Sequence, residues 1–270
     1  MLGGMSSRTL PIPPPVEWSP GLQGDYPGQQ SFKWIDQAQG VRMVFCWCPP
    51  PKPSDRLGTP KDEVGRDSDS RDLHPVPFTQ GFWLGQHPVS QAQWRAAGME
   101  NPAPSKFKGE ALPVDSISWN EAQKFCQQTG LHLPSEAIWE YACRAGSPAP
   151  FGIGSGSSLT SQQANFDGTA PYGDGFEWLN RQRTTAAGSF PPNAWGFHDM
   201  HGQLWEWCAD AFRDGGARVL RGGSWIDIGG HAAAGIRLGD APQFVFNIYG
   251  LRVSPSSIQP GKAEGRKKKE

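Results

Sequence analysis

No run of the roughly 18 apolar residues that a membrane-spanning helix needs occurs in the 270-residue chain, so nothing in it is expected to cross a bilayer. Residues 1–18 lack both a basic leader and an apolar stretch, so no secretory signal is read and a cytoplasmic location is expected. Charge of one sign is lacking too. The 25 Lys and Arg against 26 Asp and Glu leave a formal charge of −1, which removes the basic face that nonspecific nucleic-acid binding requires. Cysteine is scarce: Cys46, Cys48, Cys126, Cys143 and Cys208 are odd in number and irregular in spacing. They suit neither a disulfide framework nor a zinc site, and reduced, buried thiols are expected.

What the chain has in excess is Gly (34), Pro (26) and Trp (12). Gly and Pro together reach about twice the usual usage of ~7% and ~5%, which excludes an all-helical bundle. So many indoles do not belong to a disordered chain, and a loop-rich globule held by buried aromatics is expected. Residues 1–30 read as a loose arm, 31–254 as one domain, and 255–270 as a mobile basic tail; Cys48–Asp72 reads as a long surface loop. Strands are expected at Trp34–Ile35, Val41–Trp47 and Phe82–Leu84. Ser90 can cap a helix over Gln91–Ala97. Ser118-Trp-Asn-Glu121 is a capping box opening a helix that Gly130 ends, and Ser135 caps another over Glu136–Ala145. Beyond residue 146 no helix is expected.

The residues LeuProSerGluAlaIleTrpGluTyrAlaCysArgAlaGly (133–146) resemble the signature helix of the formylglycine-generating enzyme family, which has a variant of the C-type lectin fold. Further matches follow in family order. They include GlyPheTrpLeuGly (81–85), ProValSerGlnAlaGlnTrp (88–94), LeuProValAspSerIleSerTrp (112–119) and AlaAsnPheAspGly (164–168). Then come PheProProAsnAlaTrpGlyPheHisAspMetHisGlyGlnLeuTrpGluTrpCysAlaAsp (190–210), ArgValLeuArgGlyGlySerTrp (218–225) and GlyLeuArgVal (250–253). The resemblance implies an α+β fold with two main helices, small antiparallel sheets and much irregular loop. It implies no single function, because such proteins include copper oxidases that make formylglycine, iron-dependent sulfoxide-forming enzymes, inactive homologues, and the variable proteins of diversity-generating retroelements.

Copper in the oxidases resembled here sits on two thiolates, soft ligands for Cu(I), placed after the GlyGlySer-aromatic motif. Here the motif is Gly222-Gly223-Ser224-Trp225, the two thiol positions hold Asp227 and Ala232, and no cysteine follows Cys208. An iron site is not expected either. His74, His87, His132, His198, His201 and His231 show no ligand spacing on a predicted helix and read as loop histidines bonded to backbone. A copper- or iron-dependent oxidoreductase, or its inactive homologue, is therefore the second reading. A carbohydrate-binding lectin is the third.

The first reading is a non-enzymatic protein whose segment 226–248 displays a variable binding surface to a protein ligand, in a monomer that needs no cofactor. Where the family has a polar run, this segment has Ile226, Ile228, Ile236, Leu238, Phe244, Phe246 and Ile248, with neither helical nor strand period. Asp227, Gly230, His231, Asp240, Gln243 and Asn247 complete the candidate face. Phe244 and Phe246 are the expected anchors. For Ile226 and Ile248, next to fixed motifs, packing into the core is equally open. Adenine-directed diversification of Asn codons cannot reach Gln, Trp, Lys, Glu or Met. These are 56 of the 270 residues, which predicts about five in the segment, yet only Gln243 occurs. Trp119, Trp139, Trp195, Trp205, Trp207 and Trp225 are expected in the core that holds this face. The resemblance also implies structural calcium on hard oxygen ligands at Asp199, Met200, Gly202 and Leu204, and at Asn165, Phe166, Asp174 and Phe176. GlyGlnLeu (202–204) there replaces the usual GlyAsnVal, and the second set has a shifted spacing.

Overall fold

The computed structural model describes residues 16–17, 23–101, 104–174, 179–213 and 215–255. Most of the expected N-terminal arm and nearly all of the basic tail lie outside the described residues. The described part of the arm is tied down: β1 (Val16–Glu17) pairs in parallel with β2 (Gln30–Asp36), and Trp47 N–H donates to Gln29 O at 2.9 Å.

β2 and β3 (Val41–Cys48) form an antiparallel hairpin. Its turn is closed by Asp36, which accepts from the Gln39 N–H at 3.1 Å. Arg56–Leu57 (β4), inside the stretch Cys48–Asp72 expected to be only loop, pairs with His74–Pro75 (β5) just beyond it in a two-stranded ribbon. β6 (Phe82–Gly85) completes a four-stranded sheet in the order β1-β2-β3-β6.

Three helices follow, each started by a serine read from the sequence. Ser90 caps α1 (Gln91–Ala96) and Ser118 caps α2 (Trp119–Thr129), both through reciprocal capping boxes. Ser135 caps α3 (Glu136–Arg144). Gly130 ends α2 at φ 63°, a left-handed position that glycine takes without Cβ strain. Among the described residues no α-helix follows α3, in keeping with the Gly/Pro-rich second half.

The second sheet has the order β10-β7-β8-β9, from Trp205–Phe212 (β7), Ala217–Arg221 (β8), Arg237–Asp240 (β9) and Tyr249–Leu251 (β10). β10 pairs in parallel with β7. The chain leaves β8, forms a single 3-10 turn at Gly229–Ala232, returns as edge strand β9, and crosses to the opposite edge as β10. Segment 226–248, which shows neither helical nor strand period in the sequence, thus holds one strand of four residues, too short to show a period.

Trp139 and Trp207 are fully buried, Trp195, Trp205 and Trp225 are buried, and Trp119 packs partly buried against the core. The tryptophans do not hold the fold alone. Buried charge pairs that no local pattern revealed join α3 to the second sheet. Glu136 takes Arg237 through two bonds of 2.6 and 2.8 Å. Glu140 takes Arg221 at 2.7 Å and Arg144 at 2.8 Å. Glu206 is shared by Arg252 at 3.0 Å and the Trp139 indole at 2.6 Å. Fully desolvated pairs like these hold only because further hydrogen bonds complete each guanidinium. Arg221, for example, also donates to the carbonyls of Ala234, Gly235 and Ile236.

Candidate ligand-binding face

The face begins at the Gly222-Gly223 turn. Gly222 has φ 104°, and a Cβ there would come within 3.0 Å of the Trp139 ring. Only glycine lets the backbone pass over the buried indole and present Ser224 and Trp225.

Asp227, at a position where the resembled oxidases carry a thiol, is engaged on both oxygens. Its Oδ2 accepts from Ser224 N–H at 2.9 Å, Ser224 Oγ at 2.5 Å and Trp205 Nε1 at 2.9 Å. Its Oδ1 faces His231 Nδ1 at 3.3 Å. Burial works to raise this carboxyl, but the bonds from His231, Ser224 and Trp205 bring it below its ordinary value. The bond to Asp227 raises His231 above the ordinary imidazole value. Ala232, at the other thiol position, is fully buried.

Nine large hydrophobic side chains are exposed among the described residues, and five of them, Ile226, Ile228, Phe244, Val245 and Phe246, fall between 226 and 248. Each of the five is 47–49% exposed. His231 and Gln243 are also exposed, and Asp227, Gly230, Asp240 and Asn247 are half-buried. Phe244 and Phe246 meet edge to face with centroids 6.2 Å apart, and Phe246 meets Tyr249 at 5.2 Å. Their loop is fixed from below. Asn120 N–H donates to Pro242 O, Ser116 N–H to Phe246 O, and the Trp225 indole to Asn247 O, each at 3.2 Å. Asp240 accepts the Tyr249 hydroxyl at 2.7 Å.

One candidate is overturned. Ile236 is 2% exposed, because the carbonyls of residues 234–236 are drawn inward to the Arg221 guanidinium. Leu238 and Ile248 are half-buried against the core and contribute little outward surface. Val245, between two phenylalanines, is exposed as well and stands outside the set expected from the sequence.

The rings of His74, His198 and His201 meet backbone carbonyls, whereas His231 bonds to Asp227 and His87 stacks on His198. His201 is buried, with Nδ1 2.7 Å from Ala232 O and Nε2 accepting from Gly152 N–H at 3.0 Å, and burial pushes it down to about 4. Cys143 Sγ lies 3.5 Å from His201 Nε2, but burial raises that thiol far above its ordinary value. The two form no reactive thiolate–imidazolium pair. All five cysteines are free and buried.

At the implied calcium positions, Asp199 Oδ1 and Asn165 Oδ1 are buried with no hydrogen-bond partner. Burial raises the Asp199 carboxyl to about 6. The carbonyl of Met200 accepts from Cys143 and that of Gly202 from Leu204 N–H. Phe166 is buried and Asp174 exposed, whereas Phe176 lies outside the described residues.

Residues 57–256 match the Sulfatase-modifying factor enzyme 1-like domain. The inactive C-alpha-formylglycine-generating enzyme 2 of Mus musculus is 34% identical over 190 residues, 64% of this chain and 58% of its own length. The formylglycine-generating enzyme of the same species is 34% identical over 51% of this chain and 36% of its own. The chain thus spans less than two thirds of the length of these two curated relatives. PvdO from Pseudomonas aeruginosa superposes with a TM-score of 0.69 and 26% identity, covering 86% of this chain and 99% of that one. Treponema denticola variable protein 1 gives 0.65 and 20%, covering 83% and 98%, a likeness of fold. Among the described residues no helix is long and apolar enough to cross a membrane. The chain belongs to the sulfatase-modifying factor family, on an α+β fold of the C-type lectin kind.

Proposed function

We propose that this protein is a non-enzymatic binding module, a variable protein of the retroelement-diversified type, whose residues 226–231 and 241–248 receive a protein ligand. The observation that carries this reading is the gathering of five exposed apolar side chains on one segment whose backbone is pinned from beneath. An apolar patch rimmed by Asp240, Gln243, Asn247 and His231 has the composition of a protein-recognition surface. The fold shared with the Treponema variable protein and the shortage of residue types that Asn-codon diversification cannot reach both support it.

The absence of any cysteine after Cys208 supports the non-enzymatic half of the proposal. Asp227 is a hard ligand already spent on four hydrogen-bond donors, and Ala232 offers a methyl group. Neither replaces a thiolate for Cu(I). The name of the inactive mouse relative agrees, although active enzymes match as well.

Two tests decide. A reverse-transcriptase gene beside this one, with a near-duplicate of the codons for 218–253, supports diversification, and its absence removes the retroelement. Oxygen consumption with a cysteine-containing peptide and saturating copper is expected to be nil; turnover would restore the oxidoreductase reading.

We also propose a structural calcium ion at the first implied set, Asp199, Met200, Gly202 and Leu204, where the unpartnered buried Asp199 oxygen is a hard donor it would take; Asn165 offers a like oxygen at the second set. The melting temperature should be higher in calcium than in EDTA, and Asp199→Asn should remove the difference.

A further inference from the structure

At one margin of the apolar patch stands an aromatic cluster whose members are remote from one another in the chain. The Phe107 ring lies edge-on to Trp225, with centroids 5.6 Å apart at 78°. Two cations share that ring: Lys106 Nζ and the Arg183 guanidinium each lie 5.4 Å from its centroid. Lys106 also reaches over Trp225 at 5.8 Å. Both cationic side chains are exposed. Among the described residues neither forms a salt bridge, whereas Arg95 and Arg213 at other exposed positions each pair with a carboxylate. Each cation is drawn to the negative face of the ring.

The cluster borders the patch through a short chain of bonds. Trp225 donates to Asn247 O, and Phe246 O accepts from Ser116 N–H, each at 3.2 Å. The Ser116 hydroxyl donates to Asp115 Oδ1 at 2.8 Å, and the same oxygen accepts the Lys106 N–H at 2.8 Å. Asp115 is fully buried, with that oxygen occupied by these two donors. The carboxylates on the face itself are engaged: Asp227 by Ser224, Trp205 and His231, and Asp240 by Tyr249 and the Ala241 N–H. The surface therefore offers apolar anchors beside two cations that await a negative charge.

Resting on the binding reading above, we propose that the face takes an acidic polypeptide segment, with an apolar side chain seated on Phe244, Phe246 and Ile226 and neighbouring carboxylates on Lys106 and Arg183. Aromatic rings and cations could also stack nucleic-acid bases. With two cations and a broad aliphatic–aromatic patch beside them, in a chain of charge −1, a polypeptide is favoured.

The test uses three synthetic peptides with one apolar Leu-Phe-Leu core, flanked by Glu, by Gln or by Lys, titrated calorimetrically into the full chain at low and high salt. The Glu peptide should bind about tenfold more tightly than the Gln peptide, with the advantage shrinking at high salt. Lys106→Ala with Arg183→Ala should erase that advantage while leaving the Gln peptide unchanged, and an unaltered urea midpoint will show that the fold is kept. Phe244→Ser with Phe246→Ser should weaken the Glu and Gln peptides alike. Equal binding of Glu and Gln peptides, or an advantage that survives in the double-cation variant, overturns the acidic preference and leaves the binding face standing. Peptide binding indifferent to the phenylalanine changes overturns the face itself. An oligothymidine that binds more tightly than the Glu peptide overturns the polypeptide in favour of nucleic acid, and no binding by the Glu peptide at millimolar concentration overturns the proposal outright.

Discussion

Residues 232–238 and residues 241–247 follow one another in the chain and flank the same edge of the second sheet, yet they are held in opposite ways. In the first stretch, side chains and carbonyls turn inward: Ala232, Ala233, Ala234 and Ile236 are buried, and Arg221 and Glu136 grip the segment from beneath. In the second, Pro242, Phe246 and Asn247 give their backbone carbonyls to the scaffold while Gln243, Phe244, Val245 and Phe246 face outward. A loop fixed by backbone bonds keeps its shape whatever its side chains are. The comparison teaches where this fold tolerates change: tolerance belongs to Ile226, Ile228 and 243–246, and stops at Asp227 and at Ala232–Leu238.

The sharpest break of that contrast comes from Arg221→Met. It strands Glu140 Oε2 and three carbonyls in the interior, although Arg144 still holds Oε1, and should cost about 3–5 kcal/mol in urea denaturation; a loss under about 1 kcal/mol would mean that the buried pairs are not what holds the inner stretch. Ile236→Ala should cost about 2–5 kcal/mol as a cavity in the core, against less than about 1 kcal/mol for Phe244→Ser on the exposed loop. Equal costs would erase the distinction. Asp227→Ala leaves the Trp205 indole N–H and the Ser224 donors without an acceptor, and should fall between these at about 1–3 kcal/mol.

The smallest effect is electrostatic. His231 is raised by its bond to Asp227, so its contribution to stability is complete below the ordinary imidazole value and is lost as pH rises through the raised one. Asp227 is lowered, so its contribution is present above the ordinary carboxylate value and is lost as pH falls through the lowered one. The pair therefore acts in the window between. Asp227→Asn should move the His231 midpoint, followed by NMR, down towards the ordinary imidazole value; an unmoved midpoint would show that the bond does not govern it.

Much of the scaffold was legible because its signals are local. Ser118 and Glu121 lie three residues apart and announce α2, and Gly130 closes it within the same few letters. The clamps were illegible because their halves are remote: Glu136 meets Arg237 across 101 positions and Glu140 meets Arg221 across 81. The same distance hid Lys106, Phe107 and Arg183 from the face they border. Ile236 was misplaced for a different reason. An isoleucine reads alike whether it faces water or the core, and only the carbonyls drawn to Arg221 decide which.

The account stands on a surface that the fold does not need. Its most direct test is the urea midpoint of one variant carrying Ile226→Ser, Ile228→Ser, Phe244→Ser and Phe246→Ser together. The account predicts a native far-ultraviolet spectrum and stability within about 2 kcal/mol of the parent. A loss above about 4 kcal/mol, the scale of emptying a core site, would show that these side chains hold the molecule together and are not free to hold a partner.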